Sequence, residues 1–243
     1  MMLCVVLGMT LCGCSLSTAS EEPKTECGLG SLAAAAGAII RAVLDACRRE
    51  ATASELFALT QTAEKVAHGR PSGLDAAATC SPCPIRFQGG QMRPLSQRIE
   101  RAHLVIADSG VHGSTREAVG ALRRRYEEDT GTVGPLIGSL GALTRTAIAA
   151  LNDGDAPALG AAMNRAHAVL AQLGLSLPIL DGLTGAARRA GALGAKLTGG
   201  GLGGCTIALA DGPRAADRIR AELERAGAAA TWTYRMRVSE ADG

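Results

Sequence analysis

The sequence predicts an α+β fold, and three observations carry that reading. Residues 205–210 (Cys-Thr-Ile-Ala-Leu-Ala) and 229–236 (Ala-Ala-Thr-Trp-Thr-Tyr-Arg-Met) read as strands flanking a helix at 213–226, which suits a small open sheet with helices on one face. Residues 134–191 read as three successive helices. Two more helical stretches, 32–50 and 53–68, come earlier in the chain.

Residues 1–20 are unusual. Leu3 to Leu11 is apolar, and Leu11-Cys12-Gly13-Cys14 imitates a lipoprotein cleavage box. No Lys or Arg precedes the apolar run, and the run is too short to span a bilayer. We read it as an unrelated or misassigned start in preference to a working signal. Glu21 to Glu26 then reads as a polar linker.

Gly28-Leu29-Gly30-Ser31 opens the first helix, which runs to about Arg49. Glycines before a helix start expose backbone N–H groups, and the helix dipole favours an anion there. The plainer alternative makes Ser31 an N-cap only. In the second helix, Leu56, Leu59, Ala63 and Val66 recur at helical spacing and predict its apolar face. Gly69 and Pro71 stop it. The turn Pro71-Ser72-Gly73 then delivers Asp75, while Glu64 sits near the helix end. Two carboxylates in different settings can divide their work, one holding a metal and one taking a proton. Solvated surface charge is the ordinary alternative.

Cys80-Ser-Pro-Cys83 is a lone C-x-x-C with no second ligand pair, so it reads as a loop leading to the next strand. Residues 103–107 form a short buried strand, and Asp108-Ser109-Gly110 turns the chain. Ser114-Thr115-Arg116-Glu117 is a capping box opening a helix to about Glu128. Asn152–Asp155 and Leu173–Ser176 punctuate the three helices that follow. Met163, His167, Leu170 and Leu173 form one stripe, in which His167 reads as a packed residue and not a ligand. The glycine run Gly199–Gly204 is held between a helix and a strand, so it is positioned and not a floppy linker. Pro213 marks the last helix start.

Composition narrows the function classes. The 243 residues suffice for one large domain or two small ones, and hydrophobics reach 47% with aromatics at only 2%, so the core is aliphatic. A net charge of +2 argues for no polyanionic partner. Arg123–Arg125 followed by Glu127–Asp129 reads as a charged helix face. With so few aromatics, base stacking is not a binding mode, and no nucleic-acid partner is expected. The eight cysteines are scattered through a chain rich enough in core to need no disulfide framework.

The string Glu-x3-His-Gly-x-Pro-Ser-Gly-x-Asp from Glu64 to Asp75 closely resembles a signature of mevalonate kinases. These belong to the superfamily of galactokinase, homoserine kinase, mevalonate kinase and phosphomevalonate kinase. Gly28–Ser31 resembles the family's phosphate loop, and Gly194-Ala195-Lys196-Leu197-Thr198-Gly199, running on to Cys205, resembles its third motif. The resemblance spans roughly residues 27–240.

It implies a two-domain small-molecule kinase. Residues 1–26 would be outside the family, 27–111 an incomplete ATP-binding first domain, and 112–243 a helix-rich C-terminal domain with a small antiparallel sheet. The implied reaction is ATP-dependent phosphorylation of the 5-hydroxyl of mevalonate, in isoprenoid synthesis. Asp75 would accept the hydroxyl proton and Glu64 would ligate Mg²⁺. Gly28, Leu29, Gly30 and Ser31 would hold ATP, and Thr115, Gly199 and Gly200 would face the substrate. The resemblance implies a cytoplasmic protein without membrane attachment and allows a homodimer.

The chain departs from the family pattern in places. Leu32 stands where the family has a Mg²⁺-ligating Ser, and Lys24-Thr25-Glu26 where it has Pro-x-Gly. Gly200 and Leu202 differ in the glycine motif, where the bulk of Leu202 would crowd the loop. Residues 1–26 contain nothing like the family's Lys and Gly-Glu-His motif. Without those first strands, helices 32–50 and 53–68 should expose apolar surface. Two other readings therefore stay open: a non-catalytic remnant binding nucleotide or a partner, and a sister kinase acting on a phosphorylated mevalonate.

Overall fold

In the computed structural model, which describes residues 31–68, 71–81 and 83–240, the chain divides into two units. The first ends at Leu95 and the second spans Ser96–Glu240. This boundary precedes the 111/112 division suggested by sequence. The reason is the strand at 102–108, which is hydrogen-bonded on both sides within the second unit.

The first unit contains α1 (Ser31–Ala46), α2 (Ala53–His68), α3 (Leu74–Cys80), β1 (Ile85–Gln88) and β2 (Gln91–Pro94). The three helices pack on one another. A reciprocal capping box starts α2: the Thr52 N–H donates to Glu55 Oε2 at 2.8 Å, and the Glu55 N–H donates to Thr52 Oγ1 at 3.2 Å. Leu74, Ala77 and Ala78 of α3 pack with Ile85 and Phe87 of β1, and Phe57 of α2 closes that cluster. The β1–β2 hairpin turns through Gly89 and Gly90, both left-handed, with Gln88 opposite Gln91. A two-residue turn with positive φ at both positions matches the twist of its strands.

The buried face of α2 differs from the one its apolar periodicity predicts. Leu56, Thr60 and Glu64 turn inward at i, i+4, i+8 spacing, whereas Leu59 is 46% and Val66 86% exposed. α1 and α3 cover the Leu56 face, so Thr60 is buried because of where it stands on the helix. Ile39 and Val43 on α1 are also exposed. The expected apolar surface on these two helices is therefore present.

The second unit begins with β3 (Ala102–Asp108), followed by α4 (Thr115–Glu128), α5 (Thr130–Asp153), α6 (Ala156–Gln172) and α7 (Pro178–Arg189). β4 (Gly194–Leu197), β5 (Cys205–Asp211), α8 (Pro213–Arg225) and β6 (Ala230–Arg235) complete it. The strands form one antiparallel sheet in the order β4-β5-β3-β6. Val105 faces Ala208, which faces Ala195, so small side chains share one row of the sheet. α7 and α8 cover that row with Leu183, Ala187, Ile219 and Leu223. An aliphatic core with few aromatics closes here because alanines let the helices approach the sheet.

A second cluster joins α4, α5 and the turn after α6 through Ala118, Leu122, Val133, Leu173 and Leu175. Asp129 caps α5, accepting from the Thr132 N–H at 2.9 Å, and Asp155 caps α6, accepting from the Ala158 N–H at 2.8 Å. By length and composition α5 is the described helix that could cross a bilayer. Here its Val133, Leu143, Ala150 and Leu151 are buried.

Candidate active site

In the first unit, Glu64 and Asp75 lie on two packed helices with opposite exposure. Glu64 rides on the inward face of α2 at 4% exposure, and Asp75 occupies the exposed side of the first turn of α3. The turn between them is built by sequence. Gly73 adopts φ 89°, a left-handed conformation that disfavours any side chain. The Leu74 N–H donates to Ser72 Oγ at 3.3 Å, and Gln61 Nε2 donates to the Pro71 carbonyl at 3.4 Å. Leu74 and Ala76–Thr79 are buried, which fixes α3 and leaves Asp75 facing outward. An ionised carboxylate as enclosed as Glu64 is costly unless positive charge or hydrogen bonds compensate it.

The phosphate-loop residues Gly28, Leu29 and Gly30 lie outside the described residues, and Ser31 is the first residue of α1. Among the described residues, no three His, Cys, Asp or Glu side chains cluster as a metal site. Cys80 ends α3, and Cys83 stands two residues before β1, a strand the sequence reading did not identify. Burial pushes the Cys80 thiol above the ordinary range, so its reactive thiolate is disfavoured.

In the second unit, Thr115, Gly199 and Gly200 come together. Ser114 caps α4, accepting from the Glu117 N–H at 3.3 Å, and Thr115 follows as the first helical residue. The glycine turn runs between two strands, β4 and β5, and not between a helix and a strand as expected; β4 escaped the sequence reading. A Cβ at Gly200 would meet the Thr115 Cα at 3.0 Å, so the turn lies directly on the start of α4. Backbone bonds fix it: the Leu202 N–H donates to the Leu175 carbonyl at 2.8 Å, and the Gly204 N–H to the Val111 carbonyl at 2.8 Å. The Ser109 N–H donates back to the Gly204 carbonyl at 3.0 Å.

Leu202 does not crowd this turn. Its φ is 57°, and its half-buried side chain packs against the Leu173–Leu175 cluster. It anchors the turn from outside.

His167 is the site-adjacent residue whose part the sequence did not reveal. It is buried, as its stripe predicted, but both ring nitrogens are engaged. Nδ1 accepts from the Leu197 N–H at 3.3 Å, and Nε2 lies 3.1 Å from Asp181 Oδ1 and 2.9 Å from Thr184 Oγ1. Burial pushes its pKa below the usual histidine value, against the opposing pull of Asp181.

The second unit thus holds a turn rich in backbone N–H groups beside a helix start, and the first holds a buried and an exposed carboxylate on neighbouring helices. The family description "GHMP kinases N terminal domain" matches residues 2–81 and "GHMP kinases C terminal" matches residues 147–229. The chain belongs to the GHMP kinase family. The first match begins at residue 2, well ahead of residue 27, where the sequence suggested that the family region starts.

Mevalonate kinases are among its relatives. It is 36% identical over 220 residues to the mevalonate kinase of Thermococcus sibiricus, a match covering 88% of this chain and 65% of that protein. It is 37% identical over 205 residues to the Pyrococcus abyssi mevalonate kinase, covering 82% of this chain and 60% of that one. The chain thus spans somewhat under two thirds of these relatives. Its fold matches the L. major mevalonate kinase solved with R-mevalonate, with a TM-score of 0.82 and 29% identity over 87% of this chain and 67% of that one. The Staphylococcus aureus mevalonate kinase gives a TM-score of 0.68 at 30% identity, over 86% and 67% of the two chains.

Proposed function

We propose that this chain phosphorylates the 5-hydroxyl of mevalonate with ATP, an early step of isoprenoid synthesis. The observation that carries this is the pairing of buried Glu64 on α2 with exposed Asp75 on α3, within a motif matching the mevalonate kinase signature. Asp75 takes the hydroxyl proton as the oxygen attacks the γ-phosphorus and the bond from that phosphorus to the β-phosphate oxygen breaks, releasing ADP. Residues 28–31 hold the ATP phosphates, and Thr115, Gly199 and Gly200 orient the acceptor. Such a transfer requires positioning and charge neutralisation more than covalent help from the protein.

Glu64 would hold Mg²⁺, which commonly takes one or two carboxylates with substrate phosphates and water as its other ligands. Bound with ATP, Mg²⁺ would neutralise charge on the β- and γ-phosphates. We place the protein in the cytoplasm, where ATP is available, acting as a monomer or homodimer without nucleic acid or membrane.

The test is mevalonate-dependent release of ADP from Mg-ATP, with Asp75→Ala beside it. Turnover abolished by Asp75→Ala supports the reading. Failure of the unaltered chain to turn over, with nucleotide binding retained, would favour a non-catalytic nucleotide-binding role. Turnover of a phosphorylated mevalonate alone would make it a sister kinase.

A further inference from the structure

We propose that His167 is a positioning residue for the glycine turn: its ring clamps the last amide of β4 and so sets where the turn leaves the sheet.

β4 is an edge strand, so its outward-facing backbone groups have no strand partner. α6 supplies them with side chains instead. Asn164 Nδ2 donates to the Leu193 carbonyl at 3.2 Å, and Asn164 Oδ1 accepts from the Ala195 N–H at 2.9 Å. One helical turn on, His167 Nδ1 accepts from the Leu197 N–H at 3.3 Å. The Leu193 carbonyl and the Ala195 and Leu197 N–H groups are the ones a neighbouring strand would have bonded, while the Leu193 N–H donates to the Leu209 carbonyl of β5 at 2.8 Å. Two side chains at i, i+3 on α6 thus stand in for that strand, and His167 holds its final rung, two residues before Gly199.

The same ring also reaches the other end of the turn. Because Nδ1 accepts, Nε2 must carry the hydrogen, and it points to Asp181 Oδ1 at 3.1 Å and Thr184 Oγ1 at 2.9 Å. Thr184 Oγ1 in turn donates to the Leu180 carbonyl at 3.0 Å. Asp181 accepts from Ser176 Oγ at 2.6 Å, and the residue before Ser176, Leu175, receives the Leu202 N–H. The path His167–Asp181–Ser176–Leu175–Leu202 therefore returns to the turn that His167 secures at Leu197. One imidazole fixes both the entry and the middle of the loop.

The arrangement tolerates only the neutral ring. A second proton has to go on Nδ1, where it would face the Leu197 N–H donor and cancel the clamp. The charged groups facing the ring are Asp181 and Arg188 from α7 and Lys196 from β4. Asp181 favours the charged ring. Burial, then Arg188 and Lys196, oppose it. With the native pKa lowered, the neutral, clamping ring persists below the usual histidine value of about 6.5, and the clamp is lost as pH falls through the native value. The meaning of this clamp for catalysis rests on the proposed kinase reading, but its structural content does not.

Amide hydrogen exchange over residues 193–205 of the full chain tests it, without nucleotide or substrate, between pH 5 and pH 8 and corrected for intrinsic exchange. His167→Asn can place its carbonyl oxygen where Nδ1 accepts. His167→Gln reaches the Nε2 position and leaves Leu197 unbonded. The expected result is that wild-type protection of the turn falls with acidification. His167→Gln should exchange about ten-fold faster at pH 8 with little pH dependence, and His167→Asn should restore most of the protection. Equal exchange in the two variants would overturn the proposal, because loss of packing alone would affect both. Since no turnover is measured, an inactive chain with this exchange pattern would refute the kinase reading and leave the clamp standing. An active chain without the pattern would do the reverse.

Discussion

Gly200 lies so close to Thr115 that a Cβ there would meet the threonine Cα at 3.0 Å and its Oγ1 at 3.1 Å, a tight fit in which Thr115 would have to give way. Gly200 does not need left-handed backbone, so closeness to Thr115 is what favours glycine there. Gly200→Ala should push the turn from the start of α4 by a few tenths of an ångström or more. Since misplacement of about 1 Å costs roughly a hundredfold in rate, kcat/KM for phosphate transfer should fall about ten-fold or more, with little change in Tm. Steady-state kinetics beside a thermal melt checks this, and an unchanged kcat/KM would show the contact to be irrelevant to turnover.

The two faces of α2 give an opposing pair of substitutions. Leu56 is on the buried face, and Leu56→Ala should cost about 2–5 kcal/mol. Val66, although part of the apolar spacing, is 86% exposed, and Val66→Lys should change stability by no more than about 0.5 kcal/mol while improving solubility. Urea unfolding of both variants decides. A large loss from Val66→Lys would mean that this surface is covered in solution.

Leu202 pays for its anchoring with a left-handed backbone, φ 57°. Replacing it with alanine removes the apolar contacts and keeps the strain, whereas glycine removes both. The usual order, in which glycine is less stable than alanine, should therefore reverse here, with Leu202→Gly about 0.5–1 kcal/mol more stable than Leu202→Ala. Both should be less stable than the unaltered chain. Chemical denaturation of the three proteins gives the ranking directly.

The capping box of α2 adds a pH-dependent element. The Thr52 backbone N–H, and then its hydroxyl, hold the Glu55 carboxyl below its ordinary pKa. A lowered native value means that the contribution is complete above about 4.3 and is lost as pH falls from there through the native value. The stability difference between wild type and Glu55→Gln should thus be present at pH 7 and shrink as pH falls below about 4.3. A difference that does not change with pH would show the charge to be unimportant for the cap.

Much of this was legible in the chain because local rules and tertiary needs agree. Ser114, Asp155 and Pro213 mark helix starts through caps and fixed φ, and helices start there. His167 was recognisable as a packed residue from its stripe. The β1–β2 hairpin went unread although Gly89-Gly90 between Ile-Arg-Phe-Gln and Gln-Met-Arg-Pro is a hairpin signal. β4 was hidden because its Gly-Ala-Lys-Leu sequence has weak strand preference, and α6 side chains in place of a neighbouring strand secure its edge. The inward face of α2 was misjudged because Thr60 and Glu64, both polar, occupy it. Periodicity finds apolar stripes, and it cannot see a carboxylate kept inside. The placement of Glu64 became visible only once α1 and α3 were folded against α2.

The glycine pair at the tip of the β1–β2 hairpin has a practical side. A Cβ on either residue would meet nothing within 4 Å, and the strands behind it are joined by regular pairing. Exposed tips of this kind accept inserted sequence with little penalty. A short tag inserted there would give a spectroscopic handle on the unit carrying Glu64 and Asp75 without altering either helix. Nucleotide or substrate binding could then be followed by a signal that does not depend on turnover.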